Sequence, residues 1–222
     1  MKNLTLVIPA KNEEHSLPEV LKELEKFNLK IIVVIENSDI ETFNAIKSFN
    51  IEIFYQSGKG YGDAIIEGIN NVKTDYLCIF NADGSFDPKH LKQMLNVCEN
   101  NLDFVFASRY LIGGGSDDDT FLTKLGNYIF TKIGKIFFLI NITDILYTYF
   151  LGKTSSFKKL NLTSKDFCLC VELPIKANRN NMNFIDIPSC ERRRIAGVKK
   201  VNEFKDGLKI FFYMIKSFFK II

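Results

Sequence analysis

Several common features are missing from this sequence, and each absence narrows what the chain can be. There is no tryptophan, there are only two histidines among 222 residues, and the formal net charge is +3. So small a charge argues against a nucleic-acid-binding surface, which requires clustered basic residues. The five cysteines are an odd number without zinc-ligand spacing. We therefore expect buried, reduced thiols of a cytosolic protein at Cys78, Cys98, Cys168, Cys170 and Cys190.

Long uninterrupted apolar runs are absent as well. The most apolar window long enough to span a membrane, residues 133–151, contains Lys135 and Asp144. A secretory signal peptide is not expected, because charged residues from position 11 onward interrupt the start of the chain. Residues 204–222 instead place lysines between bulky apolar side chains, a pattern typical of a helix in a membrane interface. A terminal helix packed on the domain, or a dimer contact, would give the same pattern.

What the chain does have is a regular alternation of strand and helix patterns in its first half. Short apolar strands are predicted at residues 4–9, 30–35, 51–55, 75–80 and 103–107. Helical patterns lie between them, and Ser16 and Glu19 have the spacing of a capping box at the first helix. The alternation predicts βαβ units and a mainly parallel sheet in one α/β domain. Later helices are expected within residues 121–140 and 164–178, and later strands within residues 144–157 and 183–188.

Polar clusters follow these strands at residues 10–14, 36–39, 81–87 and 108–110. In parallel sheets, ligands bind beyond the carboxyl ends of the strands, so we expect the clusters to converge on one crevice. Asn81, Asp83 and Ser85 place oxygen atoms at alternating positions after the fourth strand. Hard cations such as Mg²⁺ or Mn²⁺ prefer oxygen ligands and share them with substrate phosphates. The alternative is a polar turn in which Asp87 caps a helix that starts near Pro88.

Three loops leave alternatives open. The glycines at positions 58, 60 and 62 lack the spacing of a dinucleotide fingerprint, and Lys59 between them lies either beside a phosphate or on a plain surface loop. Residues 113–119 are expected to be a mobile linker, whose three aspartates form a metal site or a solvated loop with Asp119 or Thr120 capping the next helix. Residues 191–200 carry five cations, enough for a local phosphate site.

Taken together, the motifs resemble a known family. In order along residues 4–201, they are V-I-P-A-K-N-E-E, I-E-N-S, F-N-A-D-G-S-F-D-P, A-S-R-Y-L-I-G-G-G and R-x-x-G-x-x-K. This series is similar to that of inverting family-2 glycosyltransferases, and most similar to the branch that makes dolichyl- or polyprenyl-phosphate sugars. The resemblance implies a GT-A fold over residues 1–203, with a nucleotide-sugar half at 1–110 and an acceptor half at 111–203. Residues 204–222 would form an amphipathic helix.

The resemblance also implies roles for individual residues. The catalytic group would comprise Asp83, Arg109, Glu172, Arg194 and Lys200. The donor site would comprise Pro9, Ala10, Lys11, Glu13, Glu36, Lys59, Asn81, Ala82 and Asp83. Asn81, Asp83 and Ser85 would hold Mg²⁺ or Mn²⁺. Asn81 replaces the first carboxylate of the family's D-x-D motif, which implies weaker metal affinity. Relatives often carry acidic residues at the positions of Cys168 and Cys170, where Glu172 is the remaining carboxylate.

The expected reaction is inverting transfer of a sugar from a nucleotide-diphosphate sugar to a polyprenyl phosphate, peripherally at the cytoplasmic membrane face. Such an acceptor is already ionised, whereas a sugar hydroxyl on a surface glycan would need a base, for which Glu172 and Asp144 are candidates. An inactive nucleotide-sugar-binding protein is a further alternative. A sugar-nucleotide pyrophosphorylase is not expected, because its glycine-rich signature is absent after the first strand. No nucleic-acid partner is expected, and the oligomeric state stays open.

Overall fold

The computed structural model describes residues 1–197 and 200–220. Positions 198, 199, 221 and 222, within the predicted basic run and C-terminal helix, lie outside the described residues. The strands are β1 (Leu4–Pro9), β2 (Lys30–Ile35), β3 (Glu52–Tyr55), β4 (Tyr76–Ile79), β5 (Phe104–Ser108), β6 (Gly115–Ser116), β7 (Phe150–Lys153), β8 (Phe184–Pro188) and β9 (Cys190–Glu191). The helices are α1 (Leu17–Glu25), α2 (Ile40–Ile46), α3 (Tyr61–Asn71), α4 (His90–Glu99), α5 (Phe121–Phe138), α6 (Thr154–Lys159), α7 (Leu169–Arg179) and α8 (Glu203–Phe218).

A central sheet has the strand order β3-β2-β1-β4-β7-β5-β8. β1 pairs in parallel with β2 and β4, β2 with β3, and β5 with β8. β7 runs antiparallel between β4 and β5. The predicted α/β fold with a mainly parallel sheet is therefore confirmed. Because β7 is antiparallel to both of its neighbours, β4 and β5 point the same way and end at the same edge of the sheet.

Helices cover both faces of this sheet, which explains the nearly continuous apolar strands. On one face, Val7 belongs to a core shared with α3, α7 and α8, represented by Ile65, Leu173 and Met214. On the other face, Leu6 belongs to a core shared with α1 and α4. Successive strand residues point to opposite faces, so β1 contributes alternately to the two cores.

Two predicted helix starts differ from the structure. Ser16 has helical backbone angles and makes no cap hydrogen bond to α1, because its hydroxyl donates to the Glu13 carboxylate instead. The prediction of a capping box there is wrong. α4 begins at His90, two residues later than expected, and Asp87 Oδ1 accepts the backbone N–H two residues on at 3.0 Å.

The segment 113–119 was predicted only in part. Thr120 caps α5 as expected, since its Oγ1 accepts the Thr123 backbone N–H at 3.2 Å, but the segment before it is not a mobile linker. Its residues 115–116 form β6, which pairs in parallel with β9. Asp118 forms an ion pair with Arg194, and Asp119 forms one with Arg109. No group of three or more His, Cys, Asp or Glu side chains within the described ranges is arranged to hold a metal ion, and two of the three aspartates of this segment are paired with arginines. Cys190 is exposed rather than buried, unlike the other cysteines.

α8 is packed on the domain along one side. Ile210 and Met214 are buried in the core that also contains α3 and α7. Phe218 makes edge-to-face contacts with Phe137 and Phe138 of α5, at ring-centroid distances of 5.6 and 6.1 Å. Throughout the described part of the chain, no helix combines the length and hydropathy needed to cross a membrane.

The other sides of α5 and α8 are unusually apolar for exposed surface. Among the described residues, eight exposed large apolar side chains lie on α5 or just after it, seven on α8 or just after it, and only five elsewhere. We call this the α5–α8 apolar surface; it comprises Phe121, Leu122, Leu125, Tyr128, Ile129, Ile136, Phe137, Leu139, Phe204, Leu208, Phe211, Phe212, Ile215, Phe218 and Phe219. Exposed apolar patches of this extent mark interaction surfaces in soluble domains.

Candidate active site

The polar segments after β1, β2, β4 and β5 lie at one edge of the sheet, as the strand order requires. The chain leaves β1 still bonded to β2, since Ala10 N donates to Val34 O at 2.9 Å. Phe80 N donates to Val7 O at 2.9 Å, which holds the end of β4 beside β1. The segments carrying Lys11 and Asn81 therefore leave adjacent parallel strands.

The first segment contains a cluster of opposite charges. Lys11 Nζ lies 2.7 Å from Glu36 Oε1, which joins the ends of β1 and β2. Lys200, far along the chain, donates to both Glu13 Oε1 and Lys11 O. The structure therefore brings together four residues that the motifs had assigned to donor binding and catalysis.

Hydrogen bonds from α2 fix the shape of this first segment. Asn12 N donates to Asp39 Oδ2 at 2.7 Å, and Glu13 N donates to Thr42 Oγ1 at 2.9 Å. Asn12 has a φ of 51°, in the left-handed region that asparagine tolerates better than most residues. Sequence reasoning missed Asp39 and Thr42, whose role depends on contacts across 27 and 29 residues.

The turn from Asn81 to Ser85 holds a carboxylate that is little used within the protein. Asp83 Oδ1 accepts the backbone N–H of Ser85 at 3.0 Å, the only hydrogen bond of this carboxylate within the described residues. Asn81 Nδ2 donates to Ser85 Oγ at 3.3 Å, so the three predicted metal ligands are neighbours in space. Ala82 between them is buried, which anchors the turn.

This turn fits a divalent cation only in part. One oxygen of Asp83 makes no hydrogen bond within the described residues, and the oxygens of Asn81 and Ser85 are neutral donors of the kind that hard cations accept. A single carboxylate is a weak site by itself. Such an ion would therefore take further oxygen ligands from a bound diphosphate.

Two residues that the sequence had not suggested border this turn. The Tyr61 hydroxyl donates to Thr148 Oγ1 at 2.8 Å and lies 3.4 Å from Asn81 Oδ1. Burial raises the pKa of Tyr61, the hydrogen bond to Thr148 opposes that shift, and the charge of Asp83 adds to it. Tyr61 is thus a neutral hydrogen-bond donor beside the Asn81–Ser85 turn.

The segment after β9 lies over the same turn. Ile195 N donates to Asp83 O at 2.8 Å, and the Ile195 side chain packs against Gly84. Gly84 has a φ of +81°, which favours glycine, and an added Cβ would lie 2.5 Å from Ile195 Cδ1, so the Ile195 side chain would have to move. Arg192 is also held there, by Glu23 at 3.0 Å through each of its two terminal nitrogens.

Arg194 also belongs to this covering segment. Burial lowers the pKa of Arg194, but the hydrogen bond to Asp118 and the charges of Asp118, Asp83 and Glu191 raise it above its ordinary value. Arg194 is therefore a permanent cation within the electrostatic reach of Asp83. The structure brings these two predicted site residues together.

Arg109 lies in a cage of three carboxylates. Its Nε and Nη2 donate to Asp144 Oδ2 and Oδ1 at 2.7 and 2.9 Å. Its Nη1 donates to Glu191 at 3.1 Å and to Asp119 at 3.3 Å, and the guanidinium lies 4.6 Å from the Tyr147 ring centroid. Burial would lower the pKa of Arg109, but Asp144 and Glu191 hold it well above its ordinary value. Its predicted contact with phosphates or acceptor stays a prediction.

Glu172 is sealed inside the protein. Its side chain has 0% exposure, accepts the backbone N–H groups of Thr163 and Ser164 at 2.8 Å each, and lies 2.6 Å from Lys176 Nζ. Burial raises the pKa of Glu172, but these hydrogen bonds together lower it below its ordinary value. In this conformation Glu172 stabilises the segment before α7. Its role as a base stays a prediction.

Lys59 lines a cleft that does not include the Asn81–Ser85 turn among its described residues. Lys165, Lys209 and Lys216 also line this cleft, which lies between the loop before α3, the segment before α7, and α8. The loop is packed tightly, because a Cβ on Gly62 would lie 2.1 Å from Ser164 O. Donor binding by Lys59 stays a prediction.

With this geometry described, comparison with known proteins identifies the family. The family model described as glycosyl transferase family 2 matches residues 5–161, which span β1 to the segment after α6. The chain belongs to this family. The match includes the Asn81–Ser85 turn and the Arg109 cage except Glu191, and it confirms the family predicted from the motifs.

Two curated relatives and one solved structure illustrate the similarity. Dolichol-phosphate mannosyltransferase of Pyrococcus furiosus is 22% identical, with 95% of this chain and 61% of the relative covered. UDP-N-acetylglucosamine–dolichyl-phosphate N-acetylglucosaminyltransferase of Methanococcus voltae is 23% identical, with 96% and 95% covered. Glucosyl-3-phosphoglycerate synthase from Mycobacterium tuberculosis, solved with Mn²⁺, UDP and phosphoglyceric acid, has a TM-score of 0.76 at 11% identity, with 98% of this chain and 78% of that chain covered.

These findings have different weights. The solved structure confirms the GT-A fold, and its low identity carries nothing further to this chain. The chain spans 61% of the length of the P. furiosus relative, so part of that protein has no counterpart here.

Proposed function

We propose that this protein is an inverting glycosyltransferase that moves a sugar from a nucleotide-diphosphate sugar to a polyprenyl phosphate. Relatives named for dolichyl-phosphate acceptors support the acceptor class. The solved neighbour, which binds UDP, supports a nucleotide-diphosphate donor. The donor would lie at the edge of the sheet where the segments after β1, β2 and β4 meet.

The observation that carries this proposal is the contrast between a free carboxylate at Asp83 and the engaged carboxylates nearby. Asp144 is bound to Arg109, and Glu172 is sealed, so neither offers a free oxygen to an acceptor hydroxyl. A phosphate acceptor is ionised near neutral pH and needs no base. The state of these two carboxylates therefore favours a phosphate over a sugar hydroxyl.

The proposed chemistry is direct displacement at the anomeric carbon of the donor. Negative charge develops on the departing diphosphate, and cations aimed at that charge lower the barrier. Arg194 beside the Asn81–Ser85 turn, and Lys200 beside Glu13, are the cations placed to do this. Ile195, which packs against Gly84, would help to hold the donor in line with its acceptor.

Asp83, with the neutral oxygens of Asn81 and Ser85, would hold Mg²⁺ or Mn²⁺. Solved forms of the glucosyl-3-phosphoglycerate synthase contain one or the other ion with UDP, which supports a divalent cation here. When bound, the ion would supply positive charge to the diphosphate. Asn81 in place of a carboxylate would make this ion weakly held.

We further propose that the α5–α8 apolar surface lies peripherally on the cytoplasmic face of a membrane. α5 carries Lys124, Lys132 and Lys135 and no acidic residue. α8 carries three lysines, with Lys220 just after it, and its two acidic residues lie in its first turn. Apolar side chains interleaved with lysines suit an interface between acyl chains and anionic head groups. This location would bring a polyprenyl phosphate to the enzyme.

The test is calorimetric titration of UDP, GDP and their sugar conjugates, with and without Mn²⁺, followed by transfer to a polyprenyl phosphate. We expect one nucleotide to bind, and Asp83→Ala to lower transfer by about 100-fold, the effect of removing one preorganised charge-stabilising group. Asp87→Asn is the matched control, because it removes a carboxylate from the same loop, at the start of α4.

The outcomes separate the competing functions. Transfer to a sugar hydroxyl but not to a polyprenyl phosphate would favour a glycan-extending enzyme. Nucleotide binding without transfer to either acceptor would identify a nucleotide-sugar-binding protein. Absence of binding to any nucleotide, with or without metal, would overturn the proposed donor site.

A further inference from the structure

A basic cleft beside α8 is distinct in its lining from the candidate active site. It has a volume of about 670 Å³, and the described residues that line it include none from the Asn81–Ser85 turn. Four lysines surround it: Lys59 before α3, Lys165 before α7, and Lys209 and Lys216 on α8. These lysines come from three separate segments that the fold brings together.

The charge of this cleft is only partly compensated. Lys209 lies 3.1 Å from Asp206 and 3.7 Å from Asp166, and Lys165 lies 3.4 Å from Asp63. Lys59 and Lys216 form no ion pair within residues 1–197 and 200–220. Asp166 is the one carboxylate among the lining residues, so the cleft presents a net positive charge to a ligand.

The walls of the cleft are apolar and continuous with the α5–α8 apolar surface. Phe212 and Tyr213 of α8 line it, and Phe212 is also 56% exposed as a member of that surface. Ser164 lines it as well. A ligand that fits this arrangement has an anionic head and an apolar body next to it, which is the chemistry of an acidic lipid.

We propose that this cleft binds the phosphate head group of an anionic phospholipid in the membrane on which the α5–α8 apolar surface lies. The proposal rests on the membrane location given under the proposed function, but not on the transfer reaction. Lysines bind phosphate as point charges, and here they converge from three segments on one head-group-sized space. The bound lipid would fix the rotation of the domain on the bilayer, and not only its attachment.

The test compares two double variants of α8 for binding to vesicles. Lys209→Ala/Lys216→Ala removes two cleft lysines. Lys205→Ala/Lys220→Ala removes the same charge outside the cleft, from α8 and from the turn just after it. Vesicles are phosphatidylcholine alone, or phosphatidylcholine with one of two additions, phosphatidylglycerol or a polyprenyl phosphate. Calorimetric nucleotide binding, which none of these lysines serves in the proposed site, checks that each variant is folded.

We expect the unaltered protein to bind the phosphatidylglycerol vesicles. Two lysines near an anionic surface contribute roughly 25-fold to partitioning without any specific site, so the control variant should lose at most that factor and the cleft variant clearly more. Equal losses in the two variants would overturn the proposal that the cleft binds a lipid head group, but they would not contradict the membrane location. Binding that depends on polyprenyl phosphate alone would also overturn the proposed lipid site, as would equally strong binding of inorganic phosphate measured calorimetrically without vesicles. If the unaltered protein does not distinguish anionic from neutral vesicles, the cleft and the membrane location both fail, whereas the nucleotide titrations test the transferase separately.

Discussion

The Arg109 cage and the Asn81–Ser85 turn lie at the same edge of the sheet but use their charges in opposite ways. Arg109 donates to Asp144, Glu191 and Asp119, so its hydrogen-bonding capacity is used within the protein. Among the described residues, Asp83 makes a single side-chain hydrogen bond, to the backbone of its own turn. The first arrangement stabilises the fold, and the second leaves an oxygen for a ligand. Charged residues in one motif series can therefore have structural and binding roles side by side.

The largest effect on the free energy of unfolding should come from removing Arg109 from its three carboxylates. In Arg109→Gln, Asp144 keeps its buried carboxylate without a cation, and loss of one partner of a buried pair costs about 3–5 kcal/mol. Urea denaturation at pH 7 measures this as a lower free energy of unfolding. Arg193→Gln, which removes an exposed cation of the basic run, is the control and should stay within about 0.5 kcal/mol. A stable Arg109→Gln protein that has lost only transfer would show that Arg109 acts on the substrate instead.

Glu172→Gln tests the second engaged carboxylate, with an expected loss of about 2–4 kcal/mol at neutral pH, because two backbone N–H groups and Lys176 lose a charged acceptor. Since the pKa of Glu172 is lowered in the folded protein, its contribution is present above the ordinary glutamate pKa and is lost as pH falls through the folded value. The difference between Glu172→Gln and the unaltered protein should therefore shrink below about pH 4.

The measurement for Glu172 is a series of urea denaturations across pH, paired with the transfer rate of folded protein. A structural Glu172 predicts unchanged turnover per folded molecule. Turnover reduced by 100-fold or more, with unchanged stability, would return Glu172 to the role of a catalytic base.

Gly84→Ala tests the contact between the Asn81–Ser85 turn and Ile195. The added Cβ meets Ile195 Cδ1 at 2.5 Å, and the positive φ disfavours alanine, so we expect a loss of about 1–2 kcal/mol. The covering segment should move away from the turn and weaken nucleotide binding. Gly207→Ala, where a Cβ meets nothing within 4 Å, is the control. Unchanged nucleotide affinity in a destabilised Gly84→Ala protein would argue against closure of the segment over the donor.

The smallest effect concerns metal affinity. Asn81→Asp adds a second carboxylate to the turn, and we expect the Mn²⁺ concentration for half-maximal nucleotide binding to fall about tenfold, as it does when a site gains ligand charge. Ser85→Ala removes a neutral oxygen and should raise the Mn²⁺ concentration for half-maximal binding, by a smaller factor. An identical Mn²⁺ requirement in all three proteins would place the ion elsewhere.

Much of this architecture follows from local pattern. The alternating strands and helices predict the parallel sheet, and the position of polar clusters after strands predicts one shared edge. The contacts of Arg109 with Glu191, and of Tyr61 with Thr148, could not be predicted in this way, because they join residues 82 and 87 positions apart. The acidic segment 113–119 was misjudged for the same reason, since the cations that pair with its aspartates come from other parts of the chain.

The packing of α8 has a consequence for anyone who prepares this protein. Ile210 and Met214 complete a core that also contains α3 and α7, while the opposite side of the helix is apolar and exposed. A chain shortened before residue 203 would expose that core and aggregate. Deleting α8 would therefore not improve solubility. Substituting its outward phenylalanines, or adding mild detergent, is the route that keeps the domain whole.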